Sequence, residues 1–187
     1  MSGKVIIFSA PSGAGKTTLV QYALRQFPQL EFSVSATSRK PRNNEIDGKD
    51  YYFLHADEFK LRIASNDFAE WEEVYPSLFY GTLHSEIQRI WQNGHHVVFD
   101  VDVKGGMALK KIFGRQALAI FIMPPSIDVL QKRLQKRATE SEDAIKQRVR
   151  KASDELSFYK CFDQIIVNDR IEMAKNDLID IITRFLA

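Results

Sequence analysis

The stretch Ser9-Ala10-Pro11-Ser12-Gly13-Ala14-Gly15-Lys16-Thr17-Thr18 carries the most specific chemistry in the chain. It follows the phosphate-binding pattern G-x-x-x-x-G-K-[ST], with Ala10 in place of the first glycine. From Ala10 to Thr18 the backbone would wrap successive N–H groups around a β-phosphate, and the helix that follows would point the positive end of its dipole at the same anion. Gly13 and Gly15 permit such a backbone. Lys16 would reach the β- and γ-phosphates, and the Thr17 hydroxyl would ligate Mg²⁺.

A second feature is the segment His96-Val97-Val98-Phe99-Asp100, an apolar strand ending in a carboxylate. That form places Asp100 near Mg²⁺ or its waters; a strand-end Asp also serves as a helix cap or turn residue. No Ser/His/Asp arrangement suited to nucleophilic catalysis stands out, and His84, His95 and His96 read as surface or strand-end residues. Positive charge gathers instead. Gln131–Lys151 holds eight basic and three acidic residues, whereas Asn66–Glu73 holds four acidic and no basic ones.

These groups need a scaffold, and the hydrophobic pattern supplies one. Apolar runs at 4–9, 96–101, 117–123 and 164–167 alternate with helical patterns at 16–26, 105–113, 126–137, about 141–159 and 171–186. This alternation predicts an α/β protein with a mainly parallel sheet, the phosphate loop lying between the first strand and the first helix. Gly114 stands where a helix ends, and Ser126 is placed to cap the next helix. Between Phe32 and Gly81 the rhythm breaks into short strand-like pieces at 32–37, 51–54 and 68–74, around one short helical stretch after Asp57 and a turn at 43–48. An inserted, partly antiparallel subdomain is the expected result.

Composition narrows the function classes. With 187 residues the chain suits one core, and 26 Lys+Arg against 24 Asp+Glu leave a net charge of +2, which disfavours a bulk binder of nucleic acid or membrane surface. The longest apolar run, Ala117–Met123, is far short of the roughly 20 residues that span a bilayer, and the N-terminus lacks a signal-peptide layout. A cytoplasmic location is the expectation. The one cysteine, Cys161, cannot form an intrachain disulfide and reads as a small buried hydrophobe.

Taken in order, the loop and a series of further segments resemble the guanylate kinase family over essentially the whole chain. They are Ser33-Val34-Ser35-Ala36-Thr37-Ser38-Arg39-Lys40-Pro41-Arg42, Gly48-Lys49-Asp50-Tyr51, Phe68-Ala69-Glu70-Trp71 and Tyr80-Gly81-Thr82. Asp100-Val101-Asp102, Pro124-Pro125-Ser126 and Ile166-Val167-Asn168-Asp169 complete the series. The resemblance implies a P-loop NTPase-type three-layer core (1–31, 83–125 and 152–187), an inserted GMP-binding subdomain (about 32–82) and a helical lid (about 126–151). The implied reaction moves the γ-phosphoryl group of ATP to GMP or dGMP. Two alternatives stand beside it: a related P-loop kinase for another phosphorylated acceptor, and a non-catalytic guanylate kinase-like binding module. The choice between monomer and homo-oligomer stays open.

By the same resemblance Ser35, Arg39, Arg42, Tyr51 and Tyr80 bind the GMP phosphate. Glu70, Asp102 and Thr82 bind the guanine. Arg133, Arg137 and Arg148 close over the transferring phosphates, and Asn168 and Asp169 lie near the adenine of ATP. Physical chemistry agrees with these residue types. A phosphate acceptor is already anionic at neutral pH and needs no general base, so the obstacle is repulsion between two polyanions, which arginine forks relieve. A carboxylate only accepts hydrogen bonds, and guanine offers two N–H donors on the edge where adenine offers an acceptor. The Glu70–Tyr80 spacing is one residue longer than the common family pattern, and Lys104 replaces a frequent glutamine, free to pair with Asp100 or Asp102 or to reach a phosphate.

Overall fold

The computed structural model describes residues 3–136 and 142–187. In chain order the elements are β1 (Val5–Ser9), α1 (Lys16–Gln26), β2 (Leu30–Phe32), β3 (Ala36–Thr37), β4 (Tyr52–Phe53), α2 (Ala56–Ala64), β5 (Phe68–Tyr75) and β6 (Leu78–Leu83). Then come α3 (His84–Gln92), β7 (His96–Val101), α4 (Val103–Phe113), β8 (Ala117–Met123), α5 (Ile127–Lys136), α6 (Glu142–Leu156), β9 (Gln164–Val167) and α7 (Ile171–Leu186). The five-stranded sheet runs β2-β7-β1-β8-β9, with every neighbouring pair parallel.

Continuous apolar strands are what a parallel sheet covered on both faces requires. Alternate residues of each strand serve opposite layers. Ile6, Phe8, Val98, Ile120 and Ile122 pack with Leu19 and Ala23 of α1 and Leu178 and Ile182 of α7. On the other face Val5, Ile7, Val97, Phe99 and Phe121 pack with Ile87 and Ile90 of α3 and Leu109 of α4. Burying each such side chain stabilises the fold by about 1.5–3 kcal/mol, and truncation of the fully buried Leu109 to Ala would cost about 2–5 kcal/mol.

A second sheet, β4-β3-β6-β5, surrounds its own small core. Phe59 of α2 stacks on Phe68 and Phe79, with ring centroids 4.3 and 5.3 Å apart. The strand predicted at 32–37 divides between the two sheets: Leu30–Phe32 joins the parallel sheet beside β7, and Ala36–Thr37 joins the small one. The link at 33–35 is one of two chain crossings between the sheets, the other being the passage from β6 into α3.

Two further elements depart from expectation. Helix α4 starts at Val103, ahead of the expected 105, because the Asp102 side chain accepts from Gly105 N–H at 2.9 Å and caps the helix. The helix expected to 159 stops at Leu156, and Cys161 falls in a short 3₁₀ turn, exposed rather than buried. In the β5–β6 hairpin the register shifts between Phe68 and Glu70 and again between Glu73 and Tyr75, Ser77 adopts φ 61°, and Glu70 stands opposite Thr82. Among the described residues no helix is long and apolar enough to cross a membrane.

Candidate active site

Strand β1 delivers the chain into the glycine loop, and α1 carries it away. Gly13 and Gly15 have φ of 91° and 95°, a conformation that other residues adopt only under strain. The loop is tied at Ala14, whose N–H donates to the Pro11 carbonyl at 3.1 Å and whose carbonyl accepts from Asn168 Nδ2 at 2.8 Å. Asn168 is buried at the end of β9, so its amide braces the loop from beneath. Ala14 turns its methyl into the core, while Ala10, Pro11, Ser12, Gly13, Gly15, Lys16, Thr17 and Thr18 line a cavity of about 330 Å³.

Lys16 leads out of that cavity into a second one of about 380 Å³, and Asp102 lines both. The Lys16 ammonium lies 2.5 Å from Asp100 Oδ1 and donates to the Val101 carbonyl at 2.5 Å. The strand-end carboxylate therefore pairs with the loop lysine, and the neighbouring Asp102 is the helix cap.

The second cavity has an acidic end and a phenolic end. Glu70 of β5 accepts from Thr82 Oγ1 at 2.7 Å and lies close to Gly105 in the first turn of α4. Burial pushes the Glu70 carboxyl up; the Thr82 bond opposes this, while the charges of Asp102 and Glu72 add to it. Ser35, Tyr51 and Tyr80 line the other walls. Burial also pushes the Tyr51 hydroxyl up, which keeps it protonated and able to donate.

Arg39 stands behind the two tyrosines. Its Nε donates to Tyr80 Oη at 3.2 Å, and its guanidinium carbon is 5.1 Å from the centre of the Tyr51 ring. Its two terminal nitrogens fork onto Glu45 at 2.7 and 2.8 Å, and the Arg42 backbone N–H donates to the same carboxylate at 2.7 Å. Arg39 and this N–H outweigh burial and hold the Glu45 carboxyl at about 2. The Arg42 side chain itself is exposed.

Helices α5 and α6 approach from the loop side. Arg133 Nη2 donates to the Asn168 carbonyl at 3.0 Å, and Nη1 is buried without a hydrogen-bond partner among the described residues. Arg148 Nη1 lies 3.4 Å from Ser12 Oγ. Arg137 lies outside the described residues. Two residues that sequence reasoning missed, Lys151 and Glu155, also line the loop cavity. With Arg148 they recur at i, i+3 and i+7 on one helix face, and that spacing was the available signal. Lys104 meets Glu72 at 3.3 Å rather than Asp100 or Asp102.

A glycine loop between the first strand and first helix of a parallel sheet, with its lysine shared between two cavities, makes this a P-loop NTPase fold of the phosphotransferase kind. The profile of the guanylate kinase family matches residues 2–185. The guanylate kinase of Bacteroides fragilis is 52% identical over 183 residues, 98% of this chain and 90% of that one. That of Porphyromonas gingivalis is 49% identical over 185 residues, 98% of each chain. The crystal structure of guanylate kinase from Anaplasma phagocytophilum superposes with a TM-score of 0.74 at 27% identity, covering 98% of this chain and 86% of that one. The chain belongs to the guanylate kinase family.

Proposed function

We infer that this protein transfers the γ-phosphoryl group of ATP to GMP, giving ADP and GDP. The observation that carries the reading is the position of Lys16, whose side chain is common to the loop cavity and to the cavity that holds Glu70. ATP fits the first cavity, since the loop offers backbone N–H groups and a helix N-terminus to its phosphates. GMP fits the second, with guanine at Glu70 and phosphate toward Ser35, Tyr51 and Tyr80.

In this reading the Glu70 carboxylate accepts from N1–H and N2–H of guanine, and Thr82 fixes the carboxylate by occupying one lone pair of Oε1. Adenine would leave that buried carboxylate facing an acceptor, a penalty that polar sites convert into large discrimination. Asp102, next to it, adds a further acceptor. Tyr51 and Tyr80 donate to the acceptor phosphate, while Arg39 and Arg42 lower its negative potential from behind. Lys16 then sits where the two anions meet and offsets the charge that moves during transfer. Thr17 and Asp100 offer hard oxygen ligands suited to Mg²⁺, Asp100 through water, and Mg²⁺ would neutralise the β- and γ-oxygens of ATP.

Arg133, Arg137 and Arg148 belong to a lid at about 126–151, and the small sheet belongs to a GMP-binding subdomain at about 32–82. Closing both would exclude water, the competing acceptor. The setting proposed is purine nucleotide metabolism in the cytoplasm, with GMP, dGMP and ATP as the partners. A coupled assay of ADP release from Mg·ATP, run against GMP, dGMP, AMP, UMP and CMP, tests the reading. Turnover confined to GMP and dGMP is expected; equal turnover with AMP would remove the guanine assignment.

A further inference from the structure

Glu86 is only 2% exposed, on a helix whose Ile87 and Ile90 pack into the central core. Its carboxylate accepts from Arg89 Nε and Nη2 at 3.0 and 2.9 Å, from Val34 N–H at 3.1 Å and from the Tyr52 hydroxyl at 2.9 Å. Arg89 continues to Glu31 of β2 at 2.5 Å, and Glu31 meets His95 Nδ1 at 2.6 Å. Burial pushes the Glu86 carboxyl up, but Arg89, Val34 N–H and the Tyr52 hydroxyl outweigh it and hold the group below the usual carboxylate range. A buried charge persists when its partners satisfy it this fully.

The partners lie on both sides of a boundary. Arg89 and Glu31 belong to the central body, whereas Val34 lies in the 33–35 link and Tyr52 opens β4 of the small sheet. Their chain neighbours, Ser35 and Tyr51, line the acceptor cavity, and Tyr52 N–H donates to the Ser35 carbonyl at 2.9 Å. Successive side chains of an extended chain point to opposite sides. Tyr52 thus reaches back to Glu86 while Tyr51 faces the cavity.

Resting on the GMP kinase reading, we propose that Glu86 is a positioning residue for the acceptor: from a core helix it pins the link and β4, and so holds Ser35 and Tyr51 in place at the cavity. It touches no substrate and acts only through Val34 and Tyr52. The phosphate loop, built on β1, α1 and Asn168, does not depend on it.

The test compares full-length wild type with Glu86→Ala, Glu86→Gln and Tyr52→Phe, varying GMP and ATP separately and recording melting temperatures. Glu86→Ala should raise KM for GMP by about tenfold and leave KM for ATP within about twofold. Tyr52→Phe removes one hydrogen bond, leaves the Glu86–Arg89 pair intact, and should raise KM for GMP by about threefold with only a small fall in melting temperature. Glu86→Gln, which still accepts from Val34 or Tyr52, should recover part of the loss. A lowered melting temperature with both KM values unchanged, or a parallel rise in both, overturns the proposal. Should Glu86→Ala fail to fold, Tyr52→Phe decides alone. Wild-type protein that turns over GMP beside variants with unaltered KM removes the role of Glu86 only; wild type without turnover of GMP removes the underlying reading.

Discussion

The ammonium of Lys16 lies 2.5 Å from Asp100 Oδ1, so the second residue of the loop's G-K-T signature is joined to the C-terminal end of strand β7. The pair fixes where the cation sits relative to both cavities. Lys16→Ala should cut turnover by about a hundredfold or more, in keeping with the loss of a group that stabilises transition-state charge. Asp100→Asn should keep the fold but reduce turnover as well. Steady-state rates with GMP and Mg·ATP check both, and a Lys16→Ala variant with normal turnover would contradict the assigned role.

The Arg39–Glu45 fork predicts a clear effect of pH. The Glu45 carboxyl is held at about 2, below the unfolded value of about 4.3. The pair's contribution to stability is therefore fully present above the unfolded value and is lost as pH falls from there toward 2. Carbon NMR of the Glu45 carboxyl should show this depressed titration, and Arg39→Gln should raise it toward the ordinary range, the Arg42 N–H keeping part of the depression. Arg39→Lys keeps the charge but not the planar fork, and should raise KM for GMP by about tenfold.

Glu70 has the opposite sign. Its carboxyl is raised by burial, so as pH falls the native state takes up this proton before the unfolded chain does, and at neutral pH the buried charge burdens the fold. Glu70→Gln should accordingly melt higher than wild type at neutral pH while losing preference for GMP over AMP by about a hundredfold or more. For the wild type, KM for GMP should rise as pH falls through a pKa above the usual carboxylate range. Calorimetry and an acceptor panel at several pH values check the two halves.

Gly15→Ala should damage the loop twice over. Its φ of 95° costs a residue with a Cβ about 1–2 kcal/mol, and the added methyl would collide with the Asn168 amide that braces Ala14. Loss of ATP binding together with a lowered melting temperature is expected; retention of ATP affinity by calorimetric titration would contradict the loop geometry.

The central strands β1, β7 and β8 were legible because they are largely buried on both faces and read as apolar runs; 96–101 and 117–123 are observed with the expected ends. The strand expected at 32–37 was not, since local alternation says that a chain is extended but not which sheet receives it. Strand β6 and helix α3 went unread for a related reason. Helix α3 shows only Ile87, Ile90 and Trp91 as an apolar stripe, with no side-chain cap at its start. At the site, the loop and the acidic and basic motifs stood out by type and spacing. The partnerships did not: Asp100 with Lys16, Asp102 as a cap, Glu45 against Arg39 and Glu86 beneath the link are all set by tertiary packing. A buried Glu86 beside Arg89 looks, in sequence, like any solvated helix pair.

The brace between Asn168 and Ala14 spans 154 positions of the chain. Because synthesis proceeds from the N-terminus, the glycine loop leaves the ribosome 154 positions ahead of its supporting amide. Both strands that flank β1, namely β7 and β8, also come from the second half of the chain. A nascent chain therefore carries the residues of a phosphate cradle well before it possesses the amide that braces that cradle.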